Sequence, residues 1–191
     1  MSTKYILHGG YTRLENELNN SFFREFTKDL PMNCKVLMCF FASREEDTMS
    51  IYNKLSSKLI KFSNGKQIDF IFASLESFVK DVKQADAIYF HGGNTPTLLK
   101  DLKDFSDLEL LFSQKTVAGS SAGAYMLAKY GTAHTGESVR QGLGMVNKKL
   151  VCHFQSPDMH PTESSFEELK QIAPELETIY LKDCEWQVIV K

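Results

Sequence analysis

Residues 35–41, Lys-Val-Leu-Met-Cys-Phe-Phe, form a continuous apolar run behind a single charge. The run shows no alternation of apolar and polar residues, so a strand formed here is covered on both faces. That is the environment of a strand inside a parallel sheet flanked by helices. Neighbouring patterns agree. Lys4–His8, Gln67–Phe72, Ala87–Phe90 and the segment around Val117 read as further short strands. Helical patterns separate them. Leu14, Leu18, Phe22 and Phe26 recur every four residues, continue to Leu30 and stop at Pro31. Tyr52, Leu55, Leu59 and Phe62 follow Ser43, a candidate cap; Leu75–Gln84 and Ser106–Ser113 are shorter helices, and Leu98, Leu99 and Leu102 form another behind Pro96. The alternation predicts one α/β domain over residues 1–191, with a mostly parallel central sheet and helices on both faces.

The last third is less regular. Gly131–Asn147 is polar with four glycines and reads as loop and short strands. Lys149–Phe154 reads as a strand ending near His153, and Ser164–Ile172 as a helix. Glu177–Leu181 and Glu185–Val190 read as two strands of a hairpin across residues 182–184. Composition narrows the function classes. With 24% charged residues and a net charge of −2, the chain lacks the basic footprint of a nucleic-acid or acidic-membrane binder. No apolar run has the ~18–20 residues of a membrane span. The N-terminus enters a strand pattern at once, so no signal peptide is expected. The four cysteines form no C-x-x-C pair, and the expectation is free, buried thiols in a cytoplasmic protein.

Chemistry concentrates at Thr116–Ala124, an apolar run that meets Gly119-Ser120-Ser121-Ala122-Gly123 and then an alanine-rich helix start. A serine hydroxyl is a weak nucleophile unless it stands clear of the backbone beside a base. A sharp strand-to-helix turn achieves that, and glycines two before and two after let the turn close. Only Ser121 has glycine on both sides at that distance. The same turn aims the Ala122 amide where an oxyanion would form.

In parallel sheets, sites lie beyond the carboxyl ends of the strands. Gly92-Gly93-Asn94, Ser121 and His153 all fall there. His153 is the candidate base, since it ends a strand after the nucleophile. His160 is the reserve base or a substrate contact, and His91 a weaker contact. Gly92 and Gly93 let a backbone amide approach a substrate carbonyl, and Asn94 caps the next helix or touches substrate. The acid candidates are Glu137, midway between Ser121 and His153, with Asp158 and Glu163 as alternatives. His8-Gly9-Gly10 has an oxyanion-loop composition and lines the site without taking part in chemistry.

The motifs Gly-x-Ser-Ala-Gly-Ala at 119–124, Gly-Gly-Asn-Thr at 92–95 and His-Phe at 153–154 together resemble the S51 serine peptidases. That family includes dipeptidase E and cyanophycinase, and its fold is similar to the class I glutamine amidotransferases and flavodoxin-like proteins. The resemblance spans residues 4–190. It implies Ser121 as nucleophile, His153 as base, the Gly93 and Ala122 amides as oxyanion hole, and Glu137 as the acid. Dipeptidase E also carries an arginine downstream of the histidine that pairs with a substrate aspartate. The matching stretch here, Thr162–Ser165, has none, which leaves Arg140, Arg13 or Arg44 to take that part.

The expected activity is that of a serine exopeptidase or dipeptidase on a short peptide, with no metal or cofactor, as a monomer or homodimer. The same triad also suits an amidase, isopeptidase or esterase, and a non-catalytic ligand-binding relative is a further alternative. Glutamine amidotransfer is disfavoured, because it uses a cysteine at the elbow, where Ser121 stands. Cys152 cannot replace it, since strand neighbours point to opposite faces.

Overall fold

The computed structural model describes residues 2–43, 48–132 and 139–191. In chain order its elements are β1 (Lys4–His8), α1 (Glu17–Thr27), β2 (Asn33–Cys39), α2 (Thr48–Phe62), β3 (Gln67–Phe72), α3 (Phe78–Gln84), β4 (Ala87–Phe90), α4 (Thr95–Leu102) and α5 (Leu108–Phe112). They continue with β5 (Thr116–Ser120), α6 (Ala122–Leu127), β6 (Ala128–Gly131), β7 (Arg140–Gln141), β8 (Val146–Val151), α7 (Glu163–Gln171), β9 (Thr178–Tyr180) and β10 (Trp186–Val190).

The main sheet runs β10-β1-β5-β4-β2-β3. β1, β5, β4, β2 and β3 are parallel, and β10 closes the edge antiparallel to β1. Successive side chains go to opposite faces, and both faces are apolar. Ile6, Val36, Met38, Tyr89 and Ala118 pack with Phe22 and Phe26 of α1 and Leu55 and Leu59 of α2. Tyr5, Leu7, Leu37, Ile88, Phe90 and Val117 pack with residues of α3 to α6. This double cover explains the unbroken apolar run of β2. Each such side chain contributes about 1.5–3 kcal/mol on burial.

A second sheet, β7-β6-β8-β9, lies on the polar last third of the chain. β6, β8 and β9 are parallel and β7 is antiparallel.

Three departures from the sequence reading matter for the site. Helix α1 starts at Glu17, capped by the Asn16 side chain, which accepts from the Asn19 amide. Leu14 therefore precedes the helix and is exposed rather than core, and Leu18 in the first turn is exposed as well. The cause is Asn19, whose side-chain amide donates to the Tyr11 and Leu14 carbonyls at 2.9 Å each and holds that stretch as a loop. Helix α3 starts at Phe78, after the expected Leu75. Finally, residues 177–190 are not a hairpin. β9 joins β8 in the second sheet, whereas β10 joins β1 in the first. The intervening residues cross between sheets, tethered by Leu181 N–H to Val151 O (2.8 Å) and Gly9 N–H to Glu185 O (2.8 Å). Apolar content specifies that a strand is buried, not which sheet takes it.

Candidate active site

Ser121 stands between β5 and α6 with φ 48° and ψ −108°, a conformation that L side chains rarely adopt. Its N–H donates to His8 O at 2.9 Å, which pins the turn to β1. The flanking glycines are required sterically. A Cβ on Gly119 would lie 2.6 Å from Ala124 N, and one on Gly123 would lie 2.8 Å from Phe90 Cβ. Both serines line the cleft, but Ser120 is buried and its hydroxyl bonds Tyr89, whereas the Ser121 hydroxyl bonds His153.

His153 lies two residues beyond β8, with φ 54°. It therefore reaches the carboxyl edge of the main sheet from the second sheet. Its N–H donates to Gly9 O at 3.2 Å. Tyr125 of α6 steadies the approach: its phenol accepts from Cys152 N–H at 2.9 Å and bonds Thr132 Oγ1 at 2.8 Å. The ring's Nε2 lies 3.0 Å from Ser121 Oγ, and Nδ1 lies 2.6 Å from Asp183 Oδ1. A carboxylate only accepts, so Nδ1 carries the proton and Nε2 accepts from the serine hydroxyl. The imidazole is 4% exposed, and the Tyr11 ring stands edge-on to it at 5.3 Å.

Asp183 sits in the crossing between β9 and β10. Lys182 N–H donates to Glu185 Oε2 (2.8 Å) and Cys184 N–H donates to Gly10 O (3.0 Å), which fixes its loop. Sequence reading did not single out Asp183. It lies thirty residues after His153, in a five-residue connection, 181–185, whose value depends on which sheets its strands join.

A cleft of about 170 Å³ opens over Ser121 and His153, lined also by Tyr11, Thr12, Arg13, His91, Gly92, Gly93 and Met159. A larger groove of about 700 Å³ runs past Arg24, Met32, Phe62 and Trp186, but it contains neither Ser121 nor His153. Chemistry, not size, locates the site. Burial, reinforced by Arg13, lowers the His91 pKa to about 4, so its ring is neutral at neutral pH. Burial also lowers His8 to about 4 and pushes the Cys152 thiol far up. A fully buried, protonated thiol beside the serine is no nucleophile. All four cysteines are free and buried.

The other expected site residues divide. Gly92 and Gly93 line the cleft. Ala122 is the first residue of α6, directly after Ser121, and is buried. Asn94 turns its side chain to α4, accepting from Thr97 N–H at 2.9 Å, and is not in the cleft lining. His160 is exposed outside the cleft, with its ring 5.5 Å from Phe166. Arg140 lies in β7, paired with Gly131 on the second sheet, and Arg13 is the arginine in the cleft lining. Glu137 and Arg44 lie outside the described residues. Asp158 is exposed and Glu163 begins α7; the carboxylate on His153 is that of Asp183. Among the described residues, no group of three or more His, Cys, Asp or Glu is placed to hold a metal ion. No helix among them is long and apolar enough to cross a membrane.

The chain is similar in fold to a peptidase from an acI-B1 Actinobacterium, at 20% identity and TM-score 0.73, over 99% of this chain and 84% of that one. It is also similar to a putative peptidase E protein from Listeria monocytogenes EGD-e, at 19% identity and TM-score 0.65, over 100% of this chain and 98% of that one. No curated protein matches the sequence. The model of peptidase family S51 matches residues 6–190. With that match over nearly its whole length, the chain belongs to peptidase family S51.

Proposed function

We propose that this protein is a serine peptidase that cleaves short peptides through a Ser121–His153–Asp183 triad. The observation that carries the reading is the continuous pair of hydrogen bonds, Ser121 Oγ to His153 Nε2 at 3.0 Å and His153 Nδ1 to Asp183 at 2.6 Å. Asp183 takes the part that the sequence resemblance gave to Glu137. Ser121 Oγ attacks the scissile carbonyl while His153 removes its proton. The imidazolium formed is stabilised by Asp183 and returns the proton to the leaving amine. The acyl-enzyme is then hydrolysed by water that His153 deprotonates. The Ala122 amide and the Gly93 amide are assigned to the oxyanion.

The cleft over Ser121 and His153 is small, about 170 Å³. Arg13 supplies a cationic partner for a substrate carboxylate, in the role for which Arg140 was one sequence candidate. The buried free thiols support a cytoplasmic location. The mechanism asks for no second copy of the chain, and a monomer or homodimer fits it equally.

The test uses a fluorophosphonate probe, with mass spectrometry to find the labelled residue, and a dipeptide library assayed against wild type and Ser121→Ala. The expected result is adduct on Ser121 and cleavage that the variant lacks. An unlabelled Ser121 together with no cleaved dipeptide refutes the reading.

A further inference from the structure

The His8-Gly9-Gly10 turn stands out in the sequence, yet the triad leaves it without a chemical task. We propose that His8, held by Asn19, is a positioning residue that fixes the His153 imidazole by way of Gly10. The inference rests on the catalytic reading above.

His8 and Asn19 are both 0% exposed. The Gly10 N–H donates to His8 Nδ1 at 3.0 Å. A peptide N–H only donates, so Nδ1 holds a lone pair and Nε2 carries the proton. That Nε2–H donates to Asn19 Oδ1 at 2.9 Å. Both ring nitrogens are thus taken within the fold, and neither faces the cleft. Asn19 in turn holds the Tyr11 and Leu14 carbonyls, so the far end of the loop is fixed by the same side chain.

Gly10 carries the effect to the site. Its φ is +119°, and a Cβ placed on it would lie 2.5 Å from His153 Nε2 and 3.0 Å from Nδ1. The backbone of Gly10 is therefore the surface on which the imidazole rests. The same two glycines hold both neighbouring segments. Gly9 O accepts from His153 N–H (3.2 Å), and Gly10 O accepts from Cys184 N–H (3.0 Å), next to Asp183. A rotation of this segment displaces the base and its orienting acid together.

A purely packing role would suit an aliphatic side chain better. The site is apolar on one side, where Phe22 meets the His8 ring edge-on at 4.7 Å. Burying two ring nitrogens is costly unless each finds a hydrogen-bond partner, as both do here. What a histidine offers there and a leucine does not is an acceptor for Gly10 N–H. Because the ring is neutral at neutral pH, that acceptor is retained.

Two substitutions separate positioning from packing. His8→Asn keeps an acceptor for the N–H two residues on, as in an Asx turn, but leaves a void. His8→Leu fills the space and removes the acceptor. The rate of fluorophosphonate labelling at Ser121 is measured for each, beside thermal unfolding and the NMR signal of the His153 Nδ1 proton. Positioning predicts that His8→Leu labels at least about tenfold more slowly and loses the proton signal, while His8→Asn stays within about threefold of wild type. The thermal melts show whether the labelling rates merely follow stability. If His8→Leu does not fold, His8→Met replaces it with the same expectation. Wild-type rates in the apolar variant, or rates that follow the order of stability, overturn the positioning role and leave the triad intact. A wild-type protein that takes no label at Ser121 overturns the triad, and the positioning role with it.

Discussion

Replacing Gly10 by alanine tests how tightly the base is placed. The added Cβ would stand 2.5 Å from His153 Nε2, where ordinary contact begins at 3.4 Å. Cε1 is closer still, so the ring must retreat by at least about 0.9 Å, or the Gly10 backbone must move as far while bonded to His8 and Cys184. The Ser121–His153 bond is 3.0 Å, so such a shift breaks it. A misplacement of about 1 Å costs about 100-fold in rate. Alanine at φ +119° adds strain of about 1–3 kcal/mol. Gly65→Ala is the control: Gly65 also has positive φ, +81°, but an added Cβ meets nothing within 4 Å. Both variants should lose stability in a thermal melt. Only Gly10→Ala should lose fluorophosphonate labelling of Ser121, by about 100-fold. Labelling of folded Gly10→Ala within about threefold of wild type would refute the placement of the ring.

Further outcomes follow from the same geometry. Asp183→Asn should lower turnover by about 10³–10⁴-fold through loss of the required imidazole tautomer, while Glu137→Gln stays within a few-fold; kinetics showing the reverse would move the acid to Glu137. His8 and His91 each fall from the ordinary 6.5 to about 4 on folding, so between those values the unfolded chain binds more protons and stability drops as pH falls. The loss approaches about 3 kcal/mol per ring near pH 4 and then levels off. An NMR titration in which either ring protonates near pH 6.5 in the folded protein would contradict this. Tyr125→Phe leaves the buried Cys152 N–H without its acceptor, at a cost of about 1–3 kcal/mol. A Tm unchanged from wild type would show that the bond contributes nothing.

Sequence alone carried the α/β layering, because buried parallel strands and amphipathic helices leave different hydrophobic periods. It also placed Ser121 on a strand-to-helix elbow, since local sterics demand Gly119 and Gly123 there, and it singled out His153 as the candidate base. These features are local, and each needs only its own neighbours in the chain. Tertiary structure decided the rest. It brought Asp183 to Nδ1, because β9 and β10 join different sheets and the chain between them crosses at the site. It put Arg13 in the cleft and left Arg140, Asn94 and His160 outside it. It set Gly10 of the His8-Gly9-Gly10 turn against the His153 imidazole. None of these follows from spacing, because the contacts join opposite ends of the chain, as between Gly9 and Glu185 and between Gly10 and Cys184. Such pairings are set by how two sheets dock, and docking depends on the summed packing of the whole core rather than on any one stretch.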